Sequence, residues 1–197
     1  MFRPVLIAAL LVGAVLVSGC ADRAPTLPDK KQMAAPTPTE TVGPGPWQDD
    51  FAEAELDEYA AALARWEDYQ EKAAPIYREG KATADSLALF EEFFMTPDAM
   101  QTALEGYEER GVKVVGEVQI LWSRAGSVTS DERGTAVVVE QCINVARTSI
   151  VEGGRTIASP HRLPILRSIS LASIEGAPYQ VFSYAGPENG KVTDCEQ

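Results

Sequence analysis

The chain has 197 residues, and its 29 acidic side chains against 17 basic ones leave a net charge of −12. Nucleic-acid binding draws its affinity from Lys and Arg displacing counterions, and no basic cluster is present, so nucleic acid is excluded as a partner. The acidity reads instead as a solvated surface, over a chain whose 45% apolar residues are enough to build one real core.

Met1 to Gly19 opens with one cation, Arg3, followed by the apolar run Val5 to Val17 and the small residues Ser18 and Gly19. This is the anatomy of an export signal. As a helix the apolar run spans roughly 20 Å, short of the roughly 30 Å hydrocarbon core, so a permanent membrane span is the weaker reading. Val17-Ser18-Gly19-Cys20 closely resembles the bacterial lipobox, in which the cysteine thiol receives a diacylglyceryl group and becomes the first residue after cleavage. The resemblance implies a cleaved signal over 1–19 and a lipid on Cys20. It also implies a location on the extracytoplasmic face of the cell membrane, with the membrane as partner. Two acyl chains, at about 0.8 kcal/mol per buried methylene, hold a protein stably at a bilayer where one does not. No other cofactor is expected.

Residues 20–46 carry Pro25, Pro28, Pro36, Pro38, Pro44 and Pro46 among Thr, Ala and Gly, with no apolar periodicity. Such a segment cannot build a core, and it reads as an extended spacer. A single domain is expected over 47–197.

From Trp47 onward, Phe51, Tyr59, Leu63, Trp66, Ala73 and Tyr77 recur at helical spacing, with acids on the opposite face. Pro75 is expected to kink this helix or to start a second one. Leu87, Phe90 and Phe94 mark a short helix. Thr96-Pro97-Asp98 supplies a cap, a first-turn proline and an early acid for a third helix, which Gly111 closes.

After Gly111 the period becomes two. Val112, Val114, Gly116, Val118, Ile120 and Trp122 are expected on one face of a strand, opposite Lys113, Glu117 and Gln119. A turn is expected over Ala125 to Gly134, then a second strand from Thr135 to about Val151, a turn at Glu152-Gly153-Gly154-Arg155, and strands over Leu163 to Ile174 and Tyr179 to Tyr184. Helices first and a meandering sheet afterwards predict an α+β domain, with helices packed on one face of a mostly antiparallel sheet.

Cys142 falls in the Val-rich strand and Cys195 near the end of the chain. With Cys20 taken by lipid and the chain exported, the remaining pair is expected to form a disulfide with a structural role, since there is no CxxC.

The order of helix, short helix, capped helix and strands resembles the cone-shaped fold of the nuclear transport factor 2-like superfamily, which includes ketosteroid isomerases and polyketide cyclases. A further resemblance is to secreted lipoproteins of Gram-positive actinobacteria. It rests on the lipobox, the Pro/Thr linker, Tyr and Trp in the first helix, Gly111 and Gly116 around the first strand, and a strand cysteine with a terminal partner. Similar cone domains occur as non-enzymatic modules beside cell-wall transpeptidase domains, which implies an envelope protein as partner.

Enzymes of that superfamily place an Asp, Glu, His or Tyr inside the cone to move protons. Here Gln141 is the polar member of the face holding Val137, Val139, Ile143 and Val145, and it cannot act as a general base. His161 lies between Pro160 and Arg162 in a loop, where a solvated imidazole is expected. Asp131 and Asp194 are expected to be ordinary solvated acids, and Glu91-Glu92 and Glu108-Glu109 solvated helix faces.

Arg167 shares a strand face with Leu163, Ile165, Ile169 and Leu171. Either its cation lines a pocket with Gln141, Tyr59, Trp66 and Trp122 to hold a small anion or carbonyl, or a bulge turns it outward or its stem packs while the head reaches water; the outward reading is the preferred expectation. No metal-ligand spacing, phosphate-cradling glycine loop or G-x-S-x-G elbow is present. The sequence thus predicts a non-catalytic envelope binding or accessory module. The alternatives are a small-ligand binder and, behind it, an atypical isomerase or dehydratase.

Overall fold

The computed structural model describes residues 46–158, 163–185 and 195. The expected signal, Cys20 as the expected lipid site, the spacer as far as residue 45, His161 and Asp194 lie outside the described residues. Within them, a short 3-10 turn (Trp47–Asp50) leads to three helices, α1 (Glu53–Glu79), α2 (Ala84–Phe93) and α3 (Pro97–Arg110). Seven strands follow: β1 (Lys113–Val115), β2 (Gln119–Asp131), β3 (Gly134–Asn144), β4 (Ser149–Glu152), β5 (Arg155–Ala158), β6 (Ile165–Ile174) and β7 (Gln180–Ala185). The class is α+β. The strands form two antiparallel sheets, one ordered β1-β4-β5 and the other β2-β3-β6-β7.

α1 is a single helix of 27 residues. Pro75 neither ends it nor starts another, because its ring lies on the solvent face, where water can satisfy the carbonyl that loses its donor. At the start, the Ala52 N–H donates to the Glu55 carboxylate (2.8 Å), and at the end Gly80 adopts φ +64° against the Val112 carbonyl. α3 has the expected bounds, with Pro97 in the first turn and Gly111 left-handed at φ +63°, although Thr96 makes no side-chain cap.

Tyr59, Ala62, Trp66, Tyr69 and Ala73 of α1, Leu89, Phe90 and Phe93 of α2 and Leu104 of α3 meet Ala125, Val137, Val139, Ile169, Leu171 and Val181 of the four-stranded sheet in one core. Arg65 fastens α1 to α2. It donates to the Glu92 carboxylate (3.0 Å) and carbonyl (2.8 Å) and stacks 3.8 Å over the Phe93 ring.

Three strand expectations need correction. The period-two run from Val112 to Trp122 is not one strand: it breaks at Gly116, where φ is +93° and any Cβ would strike the Arg147 carbonyl, and the chain passes there from one sheet to the other. The turn over Ala125 to Gly134 is mostly strand, because Gly126 is the extra residue of a bulge between Ala125 and Ser127, and only Glu132 and Arg133 make the turn. The Val-rich strand ends at Asn144, not near Val151, because the Asn144 side chain accepts from the Ala146 N–H (2.9 Å) and starts a turn. By contrast, the Gly153-Gly154 turn between β4 and β5 is as read from the sequence, with φ +55° and +80°.

Candidate functional site

Register decides which side chains meet. Along the face of the four-stranded sheet that α1 covers, Val137 lies opposite Leu171, Val139 opposite Ile169, Gln141 opposite Arg167, and Ile143 opposite Ile165. Directly opposed residues of an antiparallel pair point to one face, so a polar pair sits between apolar ones on the inner side of the sheet. Gln141 is 0% exposed and Arg167 only 6%. The preferred expectation, an outward guanidinium, is therefore wrong: no bulge interrupts the pairing of β3 with β6, and Trp66 of α1 lies over the pair.

A compact network holds the cation. Gln141 Oε1 accepts from the Trp66 indole (3.0 Å), from Arg167 Nε (3.0 Å) and from an Arg167 Nη (2.6 Å), while Gln141 Nε2 donates to Ser123 Oγ (2.9 Å). These four contacts fix the amide orientation, since a flipped amide would set its N–H groups against three donors. The guanidinium also lies 5.4 Å from the centre of the Trp66 ring, whose face favours a cation. Burial lowers the Arg167 pKa, and the adjacent Tyr184 phenol partly offsets this. Arg167 makes no ion pair within 4.0 Å among the described residues.

Of the five residues expected around a pocket, Arg167, Gln141 and Trp66 are brought together. Tyr59 is two helical turns before Trp66. It is buried against Trp47 (5.1 Å between ring centres), and burial followed by the nearby Glu67 charge pushes its hydroxyl pKa up to about 12. Trp122 pairs with Cys142 and so belongs to the other face, because Leu121 is the extra residue of a bulge that shifts the alternation after Ile120. There the Arg124 guanidinium covers its ring at 5.1 Å.

Sequence reasoning missed Ser123, Tyr184 and a row of tyrosines. Tyr184 stands opposite Ile169 on β7, and its ring is 6.0 Å from that of Trp66. Tyr69 and Tyr77 share a hydroxyl contact of 3.1 Å, and burial raises the pKa of both. Tyr184 was legible only as an alternating strand residue, and nothing in the sequence placed it beside Arg167.

On the outer face, Cys142 and Cys195 are disulfide-bonded with Cα atoms 5.6 Å apart, as the cysteine count predicts. Asp131 departs from the ordinary acid expected: N–H donation from the Arg133 backbone, then from its side chain, lowers its pKa. Glu91, Glu92, Glu108 and Glu109 are exposed as expected. A separate depression of about 350 Å³, open to solvent, is lined by Trp47, Asp50, Phe51, Arg124, Ala125, Gly126 and Glu140, and the Arg124–Glu140 ion pair (2.7 Å) fills its polar side. Among the described residues no His, Cys, Asp and Glu cluster could hold a metal ion, and no helix is long and apolar enough to cross a membrane.

No protein-family profile matches the chain, and no curated protein matches it. Among solved structures it is similar to the intermembrane space region of chloroplast protein ARC6, with a TM-score of 0.42 and 8% identity over 64% of this chain and 95% of that one.

Proposed function

We propose that the chain is a lipid-anchored, extracytoplasmic binding module of the cell envelope and not an enzyme. The observation that carries the binding half is the inward Arg167, held by Gln141 and Trp66 on the helix-covered face. The guanidinium, amide and indole recognise a bound group by donating hydrogen bonds, and none of the three serves as a general base near neutral pH. The cone of the nuclear transport factor 2-like superfamily is the finer fold we assign. Its support is the order of three helices before the strands and the seating of α1 across β3.

The anchoring half rests on Val17-Ser18-Gly19-Cys20. Cys20→Ser, or globomycin treatment of cells, is expected to move the protein out of the membrane fraction. Unchanged fractionation in both would refute the lipid. Crosslinking in intact cells is expected to capture an envelope protein or a small molecule on the domain, and its absence under conditions that capture a known envelope complex would refute the module reading.

A further inference from the structure

We infer that Arg167 anchors the carboxylate of a small ligand with an apolar body, an inference that rests on the binding reading above. A guanidinium taken from water loses several kcal/mol of hydration, and the usual compensation is a bidentate carboxylate. Here the compensation among the described residues is neutral: Gln141 Oε1, which the Trp66 indole already shares, the adjacent Tyr184 phenol and the face of the Trp66 ring. A neutral amide satisfies donors without neutralising charge, and no Asp or Glu among the described residues lies within 4.0 Å of this cation. Among the described residues Gln141 takes two of the five N–H donors that a guanidinium carries and the Tyr184 phenol engages the group as well, so an anion finds at most two donors still to engage.

A second observation lies one helical turn beyond Trp66 on α1. Gln70 falls on the same face, and its Oε1 is buried without a hydrogen-bond partner. Buried side-chain oxygens are nearly always paired, so this one marks an unfilled position for a donor, which a carboxylate cannot supply and which falls to a water or to a donor elsewhere on the ligand.

The surroundings define the rest of the ligand. Trp66 lies against the guanidinium, and Ile143 and Ile165, both buried, occupy the next register position on the same face. Tyr184, beside Arg167 and near Trp66, is 51% exposed, so the apolar surface flanking the cation reaches solvent there. A carboxylate on Arg167 with an aliphatic or aromatic body along Trp66 and Tyr184 satisfies both kinds of surface. A single negative charge is favoured, because one cation faces the field of a chain with net charge −12.

The probes are hexanoate, decanoate and benzoate, each paired with its primary amide and titrated calorimetrically into the purified, detergent-solubilised chain at neutral pH. At least one carboxylate is expected to bind about tenfold or more tightly than its amide, a difference near 1.4 kcal/mol. Arg167→Gln is expected to bring that carboxylate down to its amide's affinity, and Arg167→Lys to keep part of the preference, as a point charge would. Equal binding of acid and amide to the unaltered chain would overturn the inference, whether or not either variant folds. So would failure of every acid to bind. If the acids fail while envelope crosslinks persist, the carboxylate assignment falls alone. If both fail, the binding reading falls with it.

Discussion

Gln141→Leu is expected to destabilise the domain by about 3 kcal/mol, and adding Arg167→Met to the same chain is expected to recover much of that loss. Leucine keeps the volume of Gln141 but leaves two buried donors without an acceptor, the Trp66 indole and the Arg167 guanidinium. The second is a charge, and stranding a buried charge costs more than leaving a neutral group unpaired. Methionine removes the charge and fills the space with an adaptable apolar chain, so in the double variant the indole is the main group left unsatisfied. A double-mutant cycle by urea unfolding is expected to show a coupling of about 2 kcal/mol. Additivity within about 0.5 kcal/mol would mean that the two side chains do not depend on one another.

The second large effect is expected on the outer face of the sheet. Cys195→Ser opens a loop of sequence separation 53, and on the chain-entropy account this costs about 4 kcal/mol. For a domain of this size such a loss corresponds to a fall in Tm of roughly 10 °C. Cys142 is 0% exposed and lies opposite both Trp122 and Leu166, so release of the C-terminal residue also removes cover from an apolar strip. Reduction of the unaltered chain is expected to give the same fall in Tm. Free alkylation of both thiols before reduction, or an unchanged Tm after it, would contradict this.

These two expectations differ in how they were reached. The disulfide was expected from cysteine number and from the expectation of export, neither of which needs strand register. The capped third helix was equally legible, since Pro97 and Gly111 act locally and tertiary contacts confirm their bounds without shifting them. Alternation placed Gln141 and Arg167 on apolar strand faces, and both lie there. What alternation could not show was that the two faces are one face of paired strands, or that α1 roofs it. That long-range fact turned the preferred outward Arg167 into an inward one.

Bulges explain the other departures. One extra residue reverses every later side chain on a strand, so the shift at Leu121 carried Trp122 away from the site, and the one at Gly126 disguised strand as turn. Glycine gives no direct sign of which role it plays. Gly116 interrupts pairing where a carbonyl approaches it, Gly126 is a bulge within a strand, and Gly153 and Gly154 make a true turn. Tyr184 carried no signal at all beyond its place in an apolar strand, because its partnership with Arg167 depends on the pairing of β6 with β7.

The central claim is that a desolvated guanidinium sits under α1 and awaits an anion, and a proton–nitrogen NMR experiment on the Arg167 Nε–H tests it most directly. The account predicts that one of the guanidinium resonances protected from exchange with water is missing in Arg167→Lys and displaced when the preferred carboxylate is added. A spectrum in which every arginine Nε–H exchanges freely, with nothing lost in Arg167→Lys, would contradict it.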